Sequence, residues 1–436
     1  MTSEIKKRIA DIRAGKTPEG YKKTKVGIVP VEWDRFKLSD ISEELTEKAG
    51  DNVYETLSIS AGIGFVNQAD KFGKELSGKQ YEKYIVLHKG DFSYNKGNSK
   101  KYPQGCIYQL KDREAAAVPN VFESFRLTKG INDYYEQLFV SGFMNGQLFA
   151  KINHGVRDDG LLNLKGDDFY SCYVPSPPLP EQQKIAEILS TQDKLIELQE
   201  KKIEKLKERK KAYLQKMFPK KGSKYPELRF NGFTDAWEEK KFGDLANYKK
   251  GPFGSALKKE IFVPRSESTV KVYEQQNAIN KDWTLDRYHI TKEYAEKLSG
   301  FQVNGGDIIV SCAGTIGELY ELPENAESGI INQALMKIVV DEIIVDKKLF
   351  EILFTNMIEE FTRVHSNGSA IKNIPPFSDL KPMEVLIPTK EEQIKISTFF
   401  NNIEKHIILN QRKLEQEKQK KKALMQLLLT GIVRTK

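Results

Sequence analysis

The chain has 436 residues, with 69 lysines and arginines against 61 aspartates and glutamates, and its formal net charge of +8 permits an anionic partner without requiring one. Its three cysteines, Cys106, Cys172 and Cys312, lie far apart with no Cys-x-x-Cys pair, and there are only five histidines; this argues against a disulfide framework or zinc site and for a reducing cytoplasm. No apolar run approaches the ~18 residues of a membrane span, and the charged first twenty residues argue against a secretory leader.

Residues 1–16 are expected to form a short helix with Ile5, Ile9 and Ile12 on one face, the core of an N-terminal arm over 1–20. Gly15-Lys16-Thr17 resembles the end of a phosphate-binding loop, but Ala10 stands where that motif needs glycine and no strand precedes it. From Trp33 to Val174, short alternating runs (Tyr54 to Ile59, Tyr84 to Leu87, Asp91 to Tyr94, Gly105 to Leu110, Phe122 to Leu127) read as strands between Gly, Asn and Lys turns. One helix, about Tyr134 to Phe149, interrupts them. The first globule, 21–179, is thus α+β.

The stretch 180–221 is a helix with no internal Gly or Pro before its end, opened by Pro180 and Glu181. Stepping four and three residues from Ile185 gives Leu189, Gln192, Ile196, Gln199, Ile203, Leu206, Lys210, Tyr213 and Met217, a heptad seam with seven apolar positions of ten. Such a stripe hides against another long helix. After Pro219-Lys220-Lys221-Gly222 the arrangement restarts: Trp33 to Ile41 maps onto Trp237 to Leu245 at an offset of 204.

The second globule, 222–388, has strand runs at Phe301 to Val303, Asp307 to Ser311, Ile330 to Val340 and Glu384 to Ile387, with helical segments near Tyr294 and at Lys348 to Val364. A capping box of Thr389 and Glu392 is expected to open the second long helix, 389–436, and Gly431 to end it. At an offset of 211 its seam reads Ile396, Phe400, Ile403, Ile407, Asn410, Leu414, Glu417, Lys421, Leu424 and Leu428, again seven apolar of ten. The polar interruptions recur in both copies, Gln199 with Asn410 and Lys210 with Lys421. A helix over 181–218 is about 57 Å long, with its midpoint beside Gln199. If the two helices pair antiparallel about a pseudo-twofold axis, Gln199 and Asn410 meet, while Lys210 and Lys421 stay far apart.

The order and duplication of these segments resemble the specificity (S) subunit of type I restriction–modification enzymes over essentially the whole chain. The residues that carry the likeness are the Trp33 and Trp237 openings, GDFSYNKGNSKKYPQG in the first globule, and GPFGSALKK, GDIIVSCAGTIG and GIINQALMKI in the second. To these are added PELRFNGFTDAWEEKKFGDL and the exits DGLLNLKGDDF, PSPPLPEQQKIAEIL, IKNIPPFSDL and IPTKEEQIKIS. The resemblance implies two target-recognition domains separated by two conserved helices that form an antiparallel coiled coil. Each domain is expected to read half of a bipartite site in double-stranded DNA, with the helices setting the gap. Catalysis is then expected in partners: two methyltransferase subunits that bring S-adenosylmethionine and methylate adenine at N6, and ATP-driven restriction subunits that translocate and cut, using ATP and Mg. This chain itself is expected to hold no cofactor or metal and to have no catalytic residue.

For DNA contact in the first globule, Tyr94, Asn95, Lys96, Asn98, Ser99, Lys100, Lys101 and Tyr102 combine phosphate-neutralising lysines with amides and hydroxyls that can reach base edges; a solvated β-turn is the plain alternative. Arg157 is a second candidate, for guanine, against a salt bridge to Asp158 or Asp159. In the second globule the candidates are Lys249, Lys250, Phe253 and Ser255, the amide cluster Gln275, Gln276 and Asn277, then Ser311, Thr315, Asn332 and Gln333, and the loop of Ser366, Asn367 and Ser369. Each singly is better explained by a turn or by packing, and the set as a whole is the better candidate. The lysines at 201, 202, 205, 207, 210 and 211, interspersed with glutamates, read as a solvated helix face.

Two rivals remain. A stand-alone adenine methyltransferase needs an Asn/Asp-Pro-Pro-aromatic signature; here Ile374 intrudes between Asn373 and Pro375-Pro376-Phe377, and no glycine loop for the methyl donor is evident. A coiled-coil scaffold presenting two modules without DNA specificity would bind insensitively to salt and sequence, unlike a reader with several phosphate contacts.

Overall fold

The computed structural model describes residues 2–74, 78–97, 102–152, 162–365 and 373–435. The chain divides into two compact units, one of residues 1–202 with 410–436 and one of 203–409. Each long helix, Leu179–Met217 and Lys390–Leu428, contributes one part to each unit.

The two units repeat one plan. In the first, a four-stranded antiparallel sheet has the order Ser42–Glu44, Glu123–Leu127, Phe92–Asn95, Cys106–Gln109. In the second, the order is Ala246–Lys250, Leu335–Val340, Ile308–Ser311, Leu319–Glu321. A two-stranded ribbon beside each sheet leads into a long helix: Asp34–Lys37 pairs with Tyr173–Ser176, and Glu238–Lys241 with Glu384–Ile387. Each ribbon begins beside a tryptophan with essentially no exposed surface, Trp33 or Trp237.

Three expectations are corrected. The helix expected over 134–149 is two, Asn132–Val140 and Asn145–Lys151, because Gly142 between them adopts φ 76°, outside the right-handed helical region. The run 330–340 is also two strands, Gly329–Ile331 and Leu335–Val340, which join different sheets. The Asn332 side chain turns the chain between them by accepting from the Ala334 amide at 3.0 Å. The Glu392 carboxylate does not close a capping box on Thr389; it accepts both arms of Arg229, at 2.8 and 2.7 Å.

All twenty seam positions of the long helices are buried or half-buried, as a knobs-into-holes stripe requires. In the first unit the helices run antiparallel: Gln192 bonds Glu417 at 2.7 Å and, seven residues on, Gln199 bonds Asn410 at 2.8 Å. In the second, Lys210 meets Glu404 at 2.6 Å and the rings of Tyr213 and Phe399 sit 4.9 Å apart, which also makes the pair antiparallel. Lys421 pairs with Asp193 at 2.5 Å, and both residues lie 211 positions from the members of the Lys210–Glu404 pair, so the seam lysines are satisfied alike. The outer ends of the helices are built into the globule cores. Ile185, Leu189 and Leu428 join Trp33, Phe92 and Phe125. Met217, Ile396 and Phe400 join Trp237, Phe242 and Phe350.

The heads of the two helices are held by the same device. Glu181 is bound through both oxygens by Arg434, at 2.8 Å each, and accepts the Trp33 indole N–H at 2.9 Å; Glu392 receives Arg229 as described. In each unit the arginine comes from the segment that follows the partner helix. The next residues also match: the Gln182 amide donates to the Pro177 carbonyl and the Gln393 amide to that of Pro388, at 2.8 and 2.9 Å. Gly431 ends the second helix at φ 71°, where a β-carbon would lie 2.5 Å from Pro30. The C-terminal segment is therefore packed into the first unit.

Candidate nucleic-acid interface

In the second unit, strand order gathers residues far apart in sequence at one end of the fold. Ala246–Lys250 and Ile308–Ser311 both end where Leu335–Val340 begins, since Lys250 pairs with Met336 and Ser311 with Leu335. The neighbouring strands Thr269–Tyr273 and Gly329–Ile331 are parallel, and the Asn332 amide donates to the Tyr273 carbonyl at 3.0 Å just past their shared end. Four connections thus emerge together: 251–257, 274–280, which holds the short helix Gln275–Ile279, 312–318 and 332–334. Gly251 seats the first against the last: a β-carbon there would lie 1.8 Å from the Asn332 carbonyl oxygen.

This end leaves Lys249, Lys250, Phe253, Ser255, Gln276, Thr315 and Gln333 exposed. Phe253 is 89% exposed, a costly position for an aromatic ring in water and a suitable one for stacking on or wedging against bases. Lys249 is exposed and lies over the Phe301 ring with its ammonium 5.0 Å from the ring centre, a contact that orders its stem. Exposed Lys258 and Lys259 extend the positive surface. Amides, hydroxyls, cations and one aromatic on converging loops can meet phosphates and base edges at once.

Three other candidates at this end, Asn277, Ser311 and Asn332, bond to the backbone nearby. Asn277 is buried; its Oδ1 accepts the Glu274 amide at 2.8 Å, and its Nδ2 donates to the Asp282 and Leu285 carbonyls at 3.0 and 2.9 Å. Ser311 is fully buried and its hydroxyl accepts from the Glu318 amide at 3.0 Å. Asn332 makes the turn already described. Gln275 is half-buried, and its Oε1 has no partner among the described residues. Lys281, which the sequence reading did not single out, holds φ 52° and bonds Glu318 at 3.2 Å and the Leu319 carbonyl, tying the second loop to the third. A lysine carries no sequence signal for a left-handed backbone, so this tie was invisible there.

In the first unit the corresponding end follows Phe92–Asn95. Tyr94 belongs to the core: its ring stacks on Phe169 at 4.8 Å, its hydroxyl donates to the Gln104 carbonyl at 2.8 Å, and burial raises its phenol far above the usual range. Asn95 is half-buried, donating to the Ile59 carbonyl at 3.2 Å and accepting from the Gly97 amide at 2.8 Å. Lys96 is paired with Glu123 at 2.5 Å and largely covered. Tyr102 is half-buried over Gly62. Asn98, Ser99, Lys100, Lys101, Arg157, Ser366, Asn367 and Ser369 lie outside the described residues. Among the described residues no group of three or more His, Cys, Asp or Glu side chains could hold a metal ion, and no helix is long and apolar enough to cross a membrane.

A family model described as the type I restriction modification DNA specificity domain matches residues 7–208 and again 234–419, one match per copy of globule and helix. A putative type I restriction enzyme specificity subunit of Methanocaldococcus jannaschii, MjaX, is 24% identical over 441 residues, covering 96% of this chain and 97% of the relative. The MjaVIII specificity subunit of the same organism is 26% identical over 290 residues, covering 64% of this chain and 66% of the relative. Among solved structures, a chain from work on complex assembly and conformational transition of the type I R-M system superposes with TM-score 0.57 at 13% identity, covering 93% of this chain and 99% of the other. That is a likeness of fold.

Proposed function

The chain belongs to the type I restriction–modification DNA specificity family, and from that premise we propose that it is the DNA sequence-specificity subunit of such a complex, with one recognition domain in each unit. Each domain reads one half of a bipartite target in double-stranded DNA. The paired helices set the non-specific spacer and dock two methyltransferase subunits that modify adenine at N6. Restriction subunits join the same assembly, in the cytoplasm. S-adenosylmethionine, ATP and Mg belong to those partners, and this chain contributes recognition without catalysis.

The observation that carries this reading is the contrast between frame and loops. Sheet order, helix heads, seam lysines and tryptophan openings are shared by both copies, whereas the loops that crown each sheet differ in length and chemistry. A duplicated holder with two unlike ends suits a target of two unlike halves. The test is the methylated adenine motif of the source genome, which is expected to be bipartite with an unspecified spacer. The purified chain is expected to prefer a duplex carrying that motif, to lose affinity steeply with salt, and to transfer no methyl group alone. A single uninterrupted motif, or methyl transfer by the chain alone, would overturn the proposal.

A further inference from the structure

Away from the loop end, the first unit carries a second concentration of positive charge. The hairpin of Tyr21–Thr24 and Gly27–Pro30 and the strand Asp34–Lys37 bound a cleft of about 610 Å³ lined by Lys22, Lys23, Thr24, Lys25, Asp34 and Arg35. Four cations face one carboxylate, and among the described residues none of the four forms an ion pair. Lys25 and Arg35 both lie over the Tyr173 ring, at 5.2 and 5.1 Å from its centre, which orders their stems while leaving their charges uncompensated. Lys22 is braced by the Val31 carbonyl at 2.9 Å, and the hairpin is anchored to the C-terminal segment by the Tyr21 hydroxyl on the Gly431 carbonyl at 2.7 Å. Lys22, Lys25 and Arg35 are thus held in place by neutral partners, and Lys23 is exposed beside them.

The duplicate frame does not repeat this feature. At the offset of 204, Lys22, Lys23 and Lys25 become Pro226, Glu227 and Arg229, while Asp34 and Arg35 become Glu238 and Glu239. Arg229 is spent on Glu392. Glu227 is matched by Lys220 and Lys216 at 3.0 and 3.5 Å, and Glu239 by Lys224 at 4.0 Å. The second copy neutralises itself, so the basic cleft is not a requirement of the scaffold.

We propose that this cleft binds the phosphodiester backbone of duplex DNA flanking the target on one side only, outside the bases that the recognition domains read. The proposal rests on the specificity reading above, since the duplex must first be brought to the chain. A polyanion is the occupant that charge complementarity favours: a cleft with a net charge of +3 and a guanidinium on an aromatic ring suits phosphates without base selection.

The test uses the full chain and duplexes carrying the genome's methylated motif, with long flanks on both sides or with either flank trimmed to the motif. Lys22→Ala/Lys23→Ala/Lys25→Ala is expected to flatten the slope of log affinity against log salt by about 2–3 on the long duplex. Trimming one flank is expected to abolish that difference and trimming the other to leave it. Arg35→Gln, a milder change, is expected to flatten the slope by about 1 with an unchanged melting curve. Lys216→Ala/Lys220→Ala serves as the control in the second copy, with no effect of either flank. A slope unchanged by the variants, a change that persists on both trimmed duplexes, or a loss confined to capture of methyltransferase subunits without DNA would overturn the proposal. Failure of the wild-type chain to distinguish the motif from a scrambled duplex would instead overturn the specificity reading.

Discussion

Gln199 donates through Nε2 to both the side-chain oxygen and the backbone carbonyl of Asn410, at 2.8 and 3.0 Å, with each residue 8% exposed. The two residues occupy the same position in the two copies of the seam, so the duplicated helices meet like against like. A buried amide pair among isoleucines and leucines costs stability compared with an apolar pair, and it penalises any slip that would leave the amides facing apolar side chains. Gln199→Leu alone is expected to destabilise by about 1–2 kcal/mol by depriving Asn410 of this partner. Gln199→Leu/Asn410→Leu is expected to recover that loss while allowing more than one register. Hydrogen exchange across 192–206 would read both. A double variant as destabilised as the sum of the singles would contradict this role.

Glu181 supplies a pH dependence whose sign is fixed. Burial pushes its carboxyl up, but the hydrogen bonds from Arg434, Trp33 and the Thr435 amide outweigh it and hold the group below its ordinary value of 4.5. The folded state therefore binds this proton less readily than the unfolded state. The resulting stabilisation is complete above about pH 4.5 and is lost as pH falls through the depressed folded value. Thermal unfolding of the full chain between pH 3 and 7 is expected to show this loss in the wild type and to lack that component in Glu181→Gln.

Arg434 is the counterpart test at neutral pH. Its guanidinium binds Glu181, 7% exposed, and also reaches Glu32 at 2.6 Å. Removing one partner of a covered pair leaves the other charge stranded, at a cost of about 3–5 kcal/mol. Arg434→Met is thus expected to lower the melting temperature of the first unit and to raise exchange at the head of the first long helix. The second unit, held by its own Arg229–Glu392 pair, serves as the internal reference.

At the loop end of the second unit, the exposed candidates and the buried Asn277 make different predictions. Lys249→Ala/Lys250→Ala and Phe253→Ala are expected to weaken binding of the motif duplex without moving the melting curve, and the lysine pair to flatten the salt slope by about 2. Asn277→Ala is expected to destabilise by about 1–3 kcal/mol, because the Asp282 and Leu285 carbonyls lose their donor. If the lysine and phenylalanine variants bind DNA like the wild type, this end is not the reading surface.

Gly251→Ala examines how the loops are seated. The added carbon would lie 1.8 Å from a backbone oxygen, a clash that no side-chain rotation relieves, so loops 251–257 and 332–334 must separate. The expected outcome is lost motif preference with a lowered melting temperature, measured by competition binding and calorimetry.

Periodicity and duplication were legible in the residues because they are local. A seam every three and four residues states where a helix buries its stripe, and the offsets of 204 and 211 state that the frame occurs twice. Gly431 and the Pro180–Glu181 opening mark helix ends through backbone geometry that neighbouring residues set. The proposed reading surface was not legible in this way. Lys250, Phe253, Gln276, Thr315 and Gln333 share one end of the fold only because strands separated by tens of residues pair in a particular order, and that order is decided by packing. For the same reason a polar residue in a loop was ambiguous in sequence. Asn277, Ser311 and Asn332 satisfy backbone groups that folding would otherwise strand, Tyr94 fills the core with its hydroxyl on a carbonyl, and Lys96 is neutralised by Glu123. Only the tertiary structure, which determines where each buried donor and acceptor finds its partner, separates the residues that build the loops from those left facing solvent.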